Sequence, residues 1–152
     1  MRAESNIWLL IGASLSAMAA LLHIAVIIGG PDWYRFFGAG EEMARMAAAG
    51  SPVPALMTLC IAAVLAIWAL YALSGAGRIR RLPLLRTALC VITAIYVLRG
   101  LALIPALAIP ALREPFNVWS SVICLCFGAV HLVGLFQVWK RLGATTAVGG
   151  AR

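Results

Sequence analysis

The chain has 152 residues, of which 64% are hydrophobic and only 11% are charged, and its formal net charge is +7. A soluble domain is about half apolar and about a quarter charged. The composition therefore excludes a soluble globular domain, a disordered chain, a nucleic-acid module and a disulfide-stapled secreted domain. The apolar excess must face lipid, and the sequence predicts an integral membrane protein.

Four apolar stretches are long enough to cross a hydrocarbon core of about 30 Å, which takes roughly 20 helical residues. They cover about residues 7–29, 53–74, 84–110 and 117–139. The first is longer than the apolar region of a signal peptide, which has about 7–15 residues, so we expect a membrane helix there. The predicted fold class is all-α, with residues 1–152 forming a single transmembrane domain, a four-helix bundle.

The first span contains a seam of small side chains. Gly12, Ser16 and Ala20 recur at every fourth residue, and such a seam lets another helix approach closely. His23 continues the same line, so we expect it to face protein. The approaching helix can belong to the same chain, or the seam can serve a homo-oligomer.

The segment at residues 30–52, called the lid segment below, is too long for a plain connection between two helices. Glu41 and Glu42 favour a helix start, because acidic side chains are stabilising at the positive end of a helix, and Gly50 would end it. We expect a short extra helix on the outer membrane surface. A solvated loop that happens to be helical is the alternative. The residues predicted to form the lid are Asp32, Trp33, Tyr34, Arg35 and Glu41.

The basic residues predict the orientation, because they are enriched in cytoplasmic loops. Eight lie on the side of the chain termini: Arg2, Arg78, Arg80, Arg81, Arg86, Lys140, Arg141 and Arg152. Three lie on the side of the lid segment: Arg35, Arg45 and Arg113. We therefore expect a multi-pass protein of the bacterial inner (plasma) membrane with both termini cytoplasmic. Its positive charge would contact membrane lipids and not nucleic acid.

Arg99 is the most informative residue inside the spans, because a charge at the bilayer centre costs about 3 kcal/mol or more. No Asp or Glu lies in any span. Three explanations are open. Water and backbone carbonyls freed by Pro105 and Pro110 can hold Arg99, a carboxylate of the lid segment (Asp32, Glu41 or Glu42) can pair with it, or it can bind the anionic group of a ligand. Tyr96 lies three residues earlier, about 60° away around the helix. A phenol and a guanidinium are therefore predicted to project together.

His23 and His131 are the other ionisable side chains well inside the spans. A shared haem is disfavoured, because their depths differ by about 10 Å at 1.5 Å per residue. A metal site is disfavoured, because carboxylate ligands are missing from the spans. We predict no metal and no cofactor, and we expect each histidine to form a hydrogen bond across helices.

The favoured function is a non-enzymatic one. The protein would bind a lipid or small apolar molecule with a polar or anionic head, held between the helices by Arg99, Tyr96, His23 and His131. No catalytic motif identifies a catalytic residue. The alternatives are a membrane enzyme or redox subunit that uses His23 or His131 for proton transfer, and a structural subunit of a membrane complex.

Three segments resemble a family of small uncharacterised proteobacterial inner-membrane proteins with four helices. They are GPDWYRFFGAGE at 30–41, YALSGAG at 71–77 and YVLRG at 96–100. The likeness extends over most of the chain, and it implies a topology and no activity. In size and helix count the chain is also similar to DoxX-like proteins, from which no functional residue is carried over.

Overall fold

The structure, a computed structural model, describes the backbone of residues 5–144 and the side chains of residues 5–142. In this range all of the regular secondary structure is helical, which confirms the predicted all-α class. The helices are α1 (Ile7–Gly29), α2 (Pro31–Phe36), α3 (Glu41–Ala48), α4 (Val53–Gly75), α5 (Leu85–Leu101), α6 (Leu103–Ala108) and α7 (Pro115–Ala144), with a 3-10 turn at Pro110–Leu112.

Four helical stretches of the described range are long and apolar enough to cross a membrane. They are Ile7–Gly29, Val53–Gly75, Leu85–Ala108 and Pro115–Leu142. In the most apolar part of each stretch, only 28–33% of the residues are buried inside the protein. The rest of this apolar surface needs lipid to cover it. The chain is therefore a multi-pass membrane protein, as predicted.

The third span, predicted as one stretch over about residues 84–110, consists of two helices. α5 ends at Leu101 and α6 begins at Leu103. Pro105 explains the break, because it lacks an N–H and its ring collides with the carbonyl four residues earlier, that of Leu101. α6 then ends before Ile109, whose backbone is extended. Ile109 precedes Pro110, and the ring of a proline disfavours the helical conformation of the residue before it.

The lid segment contains two short helices where one was predicted. The expected helix is α3, which begins at Glu41 directly after Gly40. The helix that the prediction missed is α2. Its sequence signal is Gly30-Pro31: Gly30 has a φ of 68° and separates α1 from α2, and Pro31 takes the first helical position, where no N–H is needed.

The chain forms two compact units. The first unit is Met1–Leu15 with Trp68–Arg152, and it contains the start of α1, the end of α4 and all of α5, α6 and α7. The second unit is Ser16–Ile67, with the rest of α1 and α4 and both short helices. The single domain over residues 1–152 stays a prediction.

Glycines bring α5 and α7 of the first unit into backbone contact. A Cβ atom added to Gly100 would lie 2.7 Å from the Cα of Leu125, and one added to Gly128 would lie 2.8 Å from Cγ2 of Val97. Lipid is as apolar as a leucine side chain, so the hydrophobic effect does not drive two membrane helices together. Close van der Waals contact at small residues does so instead.

Leu9 of α1 packs against two more glycines of the first unit. A Cβ atom on Gly134 of α7 would lie 2.7 Å from Cγ of Leu9, and one on Gly75 of α4 would lie 2.9 Å from its Cδ1. Leu9 therefore joins α1, α4 and α7 at one point. The surrounding buried cluster consists of Leu9, Ala76, Leu85, Leu89, Leu135, Val138 and Leu142.

We expect Gly100→Ala to destabilise the protein by about 1–3 kcal/mol, the usual cost of overpacking. The new methyl group would meet backbone atoms of Leu125, which move only if α7 moves. The melting temperature in detergent measures the effect. Ala94→Val is the matched control, since it adds bulk to α5 at an exposed position and should leave the melting temperature unchanged. An unchanged melting temperature for Gly100→Ala would contradict the close approach.

Candidate functional site

Two serine hydroxyls of α7 hold the guanidinium of Arg99. Its Nη1 donates to Oγ of Ser121 at 2.8 Å, and its Nη2 donates to Oγ of Ser120 at 2.7 Å. The Ser120 hydroxyl donates in turn to the carbonyl oxygen of Phe116 at 2.6 Å. Ser121 is fully buried and Arg99 is half-buried. We call Arg99, Ser120 and Ser121 the guanidinium site.

The position of this site follows from the contact between α5 and α7. Arg99 directly precedes Gly100, where the backbones of α5 and α7 lie close together, so its side chain reaches across to Ser121. Ser121 is six residues into α7, about 9 Å from its first residue at 1.5 Å per residue. The guanidinium therefore binds inside the span, beside the first two turns of α7.

The partners of Arg99 are neutral. Among residues 5–15 and 68–142 no acidic side chain forms an ion pair with it. Three carboxylates of the lid segment were candidate counter-ions. Asp32 and Glu41 are bound by Arg35, and Glu42 is bound by Arg45. Of the three explanations, contact with neutral groups describes the observed geometry, although the groups are hydroxyls and not the expected carbonyls. Among the described residues of its unit, the positive charge of Arg99 is solvated by hydrogen bonds and has no acidic partner.

The ring of Tyr96 packs among other rings. Its centroid lies 5.0 Å from that of Trp68, 5.4 Å from that of Phe127 and 5.2 Å from that of His131. We call these four residues the aromatic cluster. Tyr96 and Arg99 both extend from α5 to α7, but the phenol ring contacts the aromatic cluster and the guanidinium contacts the serines.

His131 is fully buried in the aromatic cluster. Its Nδ1 lies 2.9 Å from the carbonyl oxygen of Phe127, and since a carbonyl only accepts, Nδ1 carries the proton. The Nε2 lone pair has no hydrogen-bond partner among the described residues. The ring lies directly against Gly12, where a Cβ atom would be 2.8 Å from Cε1. The hydrogen bond of His131 is thus made within its own helix, and the predicted bond across helices is wrong for the described residues.

His23 belongs to the second unit and also bonds within its own helix. Its half-buried ring places Nδ1 at 2.7 Å from the carbonyl oxygen of Ala19. Over the part of the chain that the structure describes, no group of three or more His, Cys, Asp or Glu side chains could hold a metal ion.

The lid residues lie on α2 and at the start of α3, within the second unit. Arg35 binds Glu41 with two hydrogen bonds, from Nε at 2.9 Å and from Nη2 at 3.1 Å, and it binds Asp32 from Nη1 at 3.0 Å. This contact ties α2 to α3. The hydrogen bond from Arg35, with the attraction of its charge, holds the pKa of the Glu41 carboxyl below its ordinary value of 4.5.

The two aromatic lid residues differ in burial. Trp33 is partly exposed and packs directly on Gly29, where any side chain would collide with the indole. Tyr34 is buried in a small cluster with Val26 and Ala44. Its hydroxyl has no hydrogen-bond partner among the described residues.

The small-residue seam of α1 is buried. Gly12, Ser16 and Ala20 are all buried within the chain, which is consistent with use by helices of the same protein. A homo-oligomer through this seam stays a prediction, and it would require these residues to become accessible.

Sequence reasoning missed Ser120 and Ser121. The available signal was a pair of hydroxyl residues near the start of the fourth span, where an antiparallel third span brings Arg99 to the same depth.

Comparison with protein-family models, curated proteins and solved structures gives no significant match. The family resemblance stays a prediction, and the function has to be argued from the geometry of the sites.

We expect the contact between α2 and α3 to weaken in acid. Because the pKa of Glu41 is lowered in the folded protein, the stability that its ionised carboxylate provides is present above pH 4.5 and is lost as the pH falls through the lowered pKa. Amide hydrogen exchange of residues 31–48, corrected for its intrinsic pH dependence, should accelerate over that range. Glu41→Gln should exchange faster at neutral pH and lose the pH dependence.

Glu42→Gln is the matched control for this experiment. Glu42 pairs with Arg45 on the same helix, so removing its charge leaves the contact between α2 and α3 in place. Identical exchange in wild type and Glu41→Gln at neutral pH would contradict the role of the Arg35 contact.

Proposed function

We propose that this membrane protein binds an amphiphilic molecule with an anionic head, and that Arg99 binds the head. One observation carries the proposal: among residues 5–15 and 68–142, a guanidinium inside a membrane span has two neutral hydroxyl partners and no acidic partner. Keeping a charge there costs about 3 kcal/mol or more relative to an apolar residue. A neutral amide side chain at this position could also form hydrogen bonds with the two serines without that cost. The presence of a charged side chain therefore indicates a function.

The geometry of the guanidinium suits an anion. Arginine has five N–H donors in a planar fork that matches a carboxylate or phosphate group. Two of the donors bind Ser120 and Ser121, and these bonds fix the plane of the fork. A bidentate contact with an anion through the remaining donors is a charge-assisted hydrogen bond, which is about twice as strong as a neutral one.

The surroundings suit an apolar tail. Leu98 and Leu101 of α5 and Trp119 of α7 are exposed beside the guanidinium site. In a bilayer these side chains contact hydrocarbon, so a molecule whose head binds Arg99 can lay its chain along them. This supports an amphiphile over a small soluble anion.

The test uses the purified protein in mild detergent, with palmitate as the probe and hexadecanol as its uncharged analogue. We expect native mass spectrometry to show stoichiometric binding of palmitate. Arg99→Gln, which keeps hydrogen-bonding groups but removes the charge, should weaken it at least about tenfold, since a hydrogen bond to a charged group contributes about 1.5–3 kcal/mol. Hexadecanol binding should be the same in both proteins.

Arg113→Gln is the matched control. Arg113 lies in the connection between α6 and α7, and its guanidinium donates to the carbonyl of Leu107, so the variant removes the same charge outside the proposed site. Equal palmitate binding by Arg99→Gln and wild type would refute the proposal. A comparable loss in Arg113→Gln would mean that diffuse attraction, and not the guanidinium site, binds the anion.

The membrane and the orientation are part of this proposal. The eight basic residues on the side of the termini, against three on the other side, support an inner-membrane protein with both termini cytoplasmic. A reporter that is active only in the cytoplasm should work when fused to either terminus. Activity of a periplasmic reporter at either terminus would reverse the orientation.

One observation favours the alternative, a membrane enzyme or redox subunit that transfers protons. The buried Nε2 of His131 has no hydrogen-bond partner among the described residues, and it lies in a cluster with the phenol of Tyr96. A bound chromophore in the absorbance spectrum of the purified protein would favour this alternative over a binding protein.

A further inference from the structure

A groove of about 490 Å³ opens in the first unit, where α1 begins and α7 approaches its end. Sites that bind small molecules have volumes of about 300–1,000 Å³, so the groove can hold a polar headgroup. Its walls are formed by Ser5, Asn6, Ile7, Gln137, Val138 and Arg141.

The polar walls of the groove are held in place. Asn6 donates from Nδ2 to Oε1 of Gln137 at 2.7 Å, and its Oδ1 accepts the backbone N–H of Leu9 at 2.9 Å. Arg141 donates from Nη2 to the carbonyl oxygen of Gly75 at 2.9 Å, at the end of α4. A ligand would therefore meet side chains whose positions are already fixed, which lowers the entropy lost on binding.

The charge around the groove is strongly positive. The described chain segments at this end of the spans, residues 5–15, 75–86 and 137–142, contain no acidic residue and six basic ones: Arg78, Arg80, Arg81, Arg86, Lys140 and Arg141. Arg81 donates to the carbonyl of Leu142 at 2.7 Å, and the guanidinium of Arg86 lies 3.7 Å from the centre of the Trp139 ring. The local field favours an anion.

We propose that this groove binds the phosphodiester headgroup of an anionic phospholipid from the adjacent leaflet. Arg141 contacts the phosphate, and Asn6 and Gln137 contact the glycerol. A lipid is favoured over a soluble phosphate ester because Ile7, Trp8 and Trp139 are exposed beside the groove, at the level where aromatic side chains meet the lipid headgroups.

The headgroup site is separate from the guanidinium site. Arg141 follows Ser121 by 20 residues of α7, or about 30 Å at 1.5 Å per residue. The two proposals can therefore be tested independently of each other. Arg99→Gln should leave headgroup binding unchanged, and a loss of it in that variant would show that the lipid binds at Arg99.

The experiment titrates the protein in detergent with phosphatidylglycerol and with phosphatidylcholine, and counts the bound lipids by native mass spectrometry. We expect one phosphatidylglycerol to bind at least about tenfold more tightly than phosphatidylcholine, since basic residues near a lipid surface attract an anionic headgroup and direct contact with Arg141 adds to this attraction. Equal affinity for the two lipids would overturn the proposal.

Two variants locate the site. Arg141→Gln should lose about tenfold in affinity for phosphatidylglycerol. Lys140→Gln removes the same charge from the neighbouring residue, which does not line the groove, and it should lose less than about fivefold. Equal losses in both variants would mean diffuse attraction without a site.

Ile7→Trp keeps every charge and fills the groove, because Ile7 is an exposed residue of its wall. We expect it to abolish tight binding while the melting temperature stays the same, and unchanged binding would contradict the location.

Free glycerol phosphate should not compete at the same concentration as the lipid. Effective competition would assign the groove to a soluble phosphate ester and refute the lipid.

Discussion

The backbones of α5 and α7 are in direct contact because Gly100 and Gly128 carry no side chains. In a bilayer this contact has to provide the attraction that the hydrophobic effect provides in a soluble core. The rest of the first unit depends on it. The contact sets the depth at which residues of α5 face residues of α7, and it therefore decides which polar side chains meet. α1 adds to the same arrangement through Leu9, which packs against Gly134 of α7.

The polar groups of the first unit follow from this packing. Arg99 precedes Gly100, so its side chain reaches the serine hydroxyls of α7. The ring of His131 packs against Gly12 and lies in the aromatic cluster. Among the described residues, hydrogen bonding is incomplete at both places. The guanidinium has donors beyond the two that bind the serines, and Nε2 of the imidazole has no hydrogen-bond partner there. Inside a bilayer such groups are costly, which is why they are the candidates for function.

Charge is distributed unequally along the chain. In the lid segment the carboxylates lie next to arginines and pair with them, as Glu41 does with Arg35. In the described segments at the start of α1 and at the ends of α4 and α7, acidic residues are missing. There Arg81 and Arg141 contact carbonyl groups, and Arg86 contacts an aromatic ring. The two proposed sites for anionic heads therefore both depend on an arginine, Arg99 inside the span and Arg141 at the groove.

The sequence by itself determined the fold class and the positions of the spans, because hydropathy over about 20 residues is a local property. It also identified α3 through Glu41 and Gly50, whose signals are equally local. The break at Leu101 was readable from Pro105 but was missed. The partners of Arg99 were decided by the tertiary structure alone, because Ser120 and Ser121 are remote in sequence and their depth depends on the register of two antiparallel helices. For the same reason only the structure showed that Arg35 binds Asp32 and Glu41, two of the candidate counter-ions, and that the ring of His131 packs against Gly12.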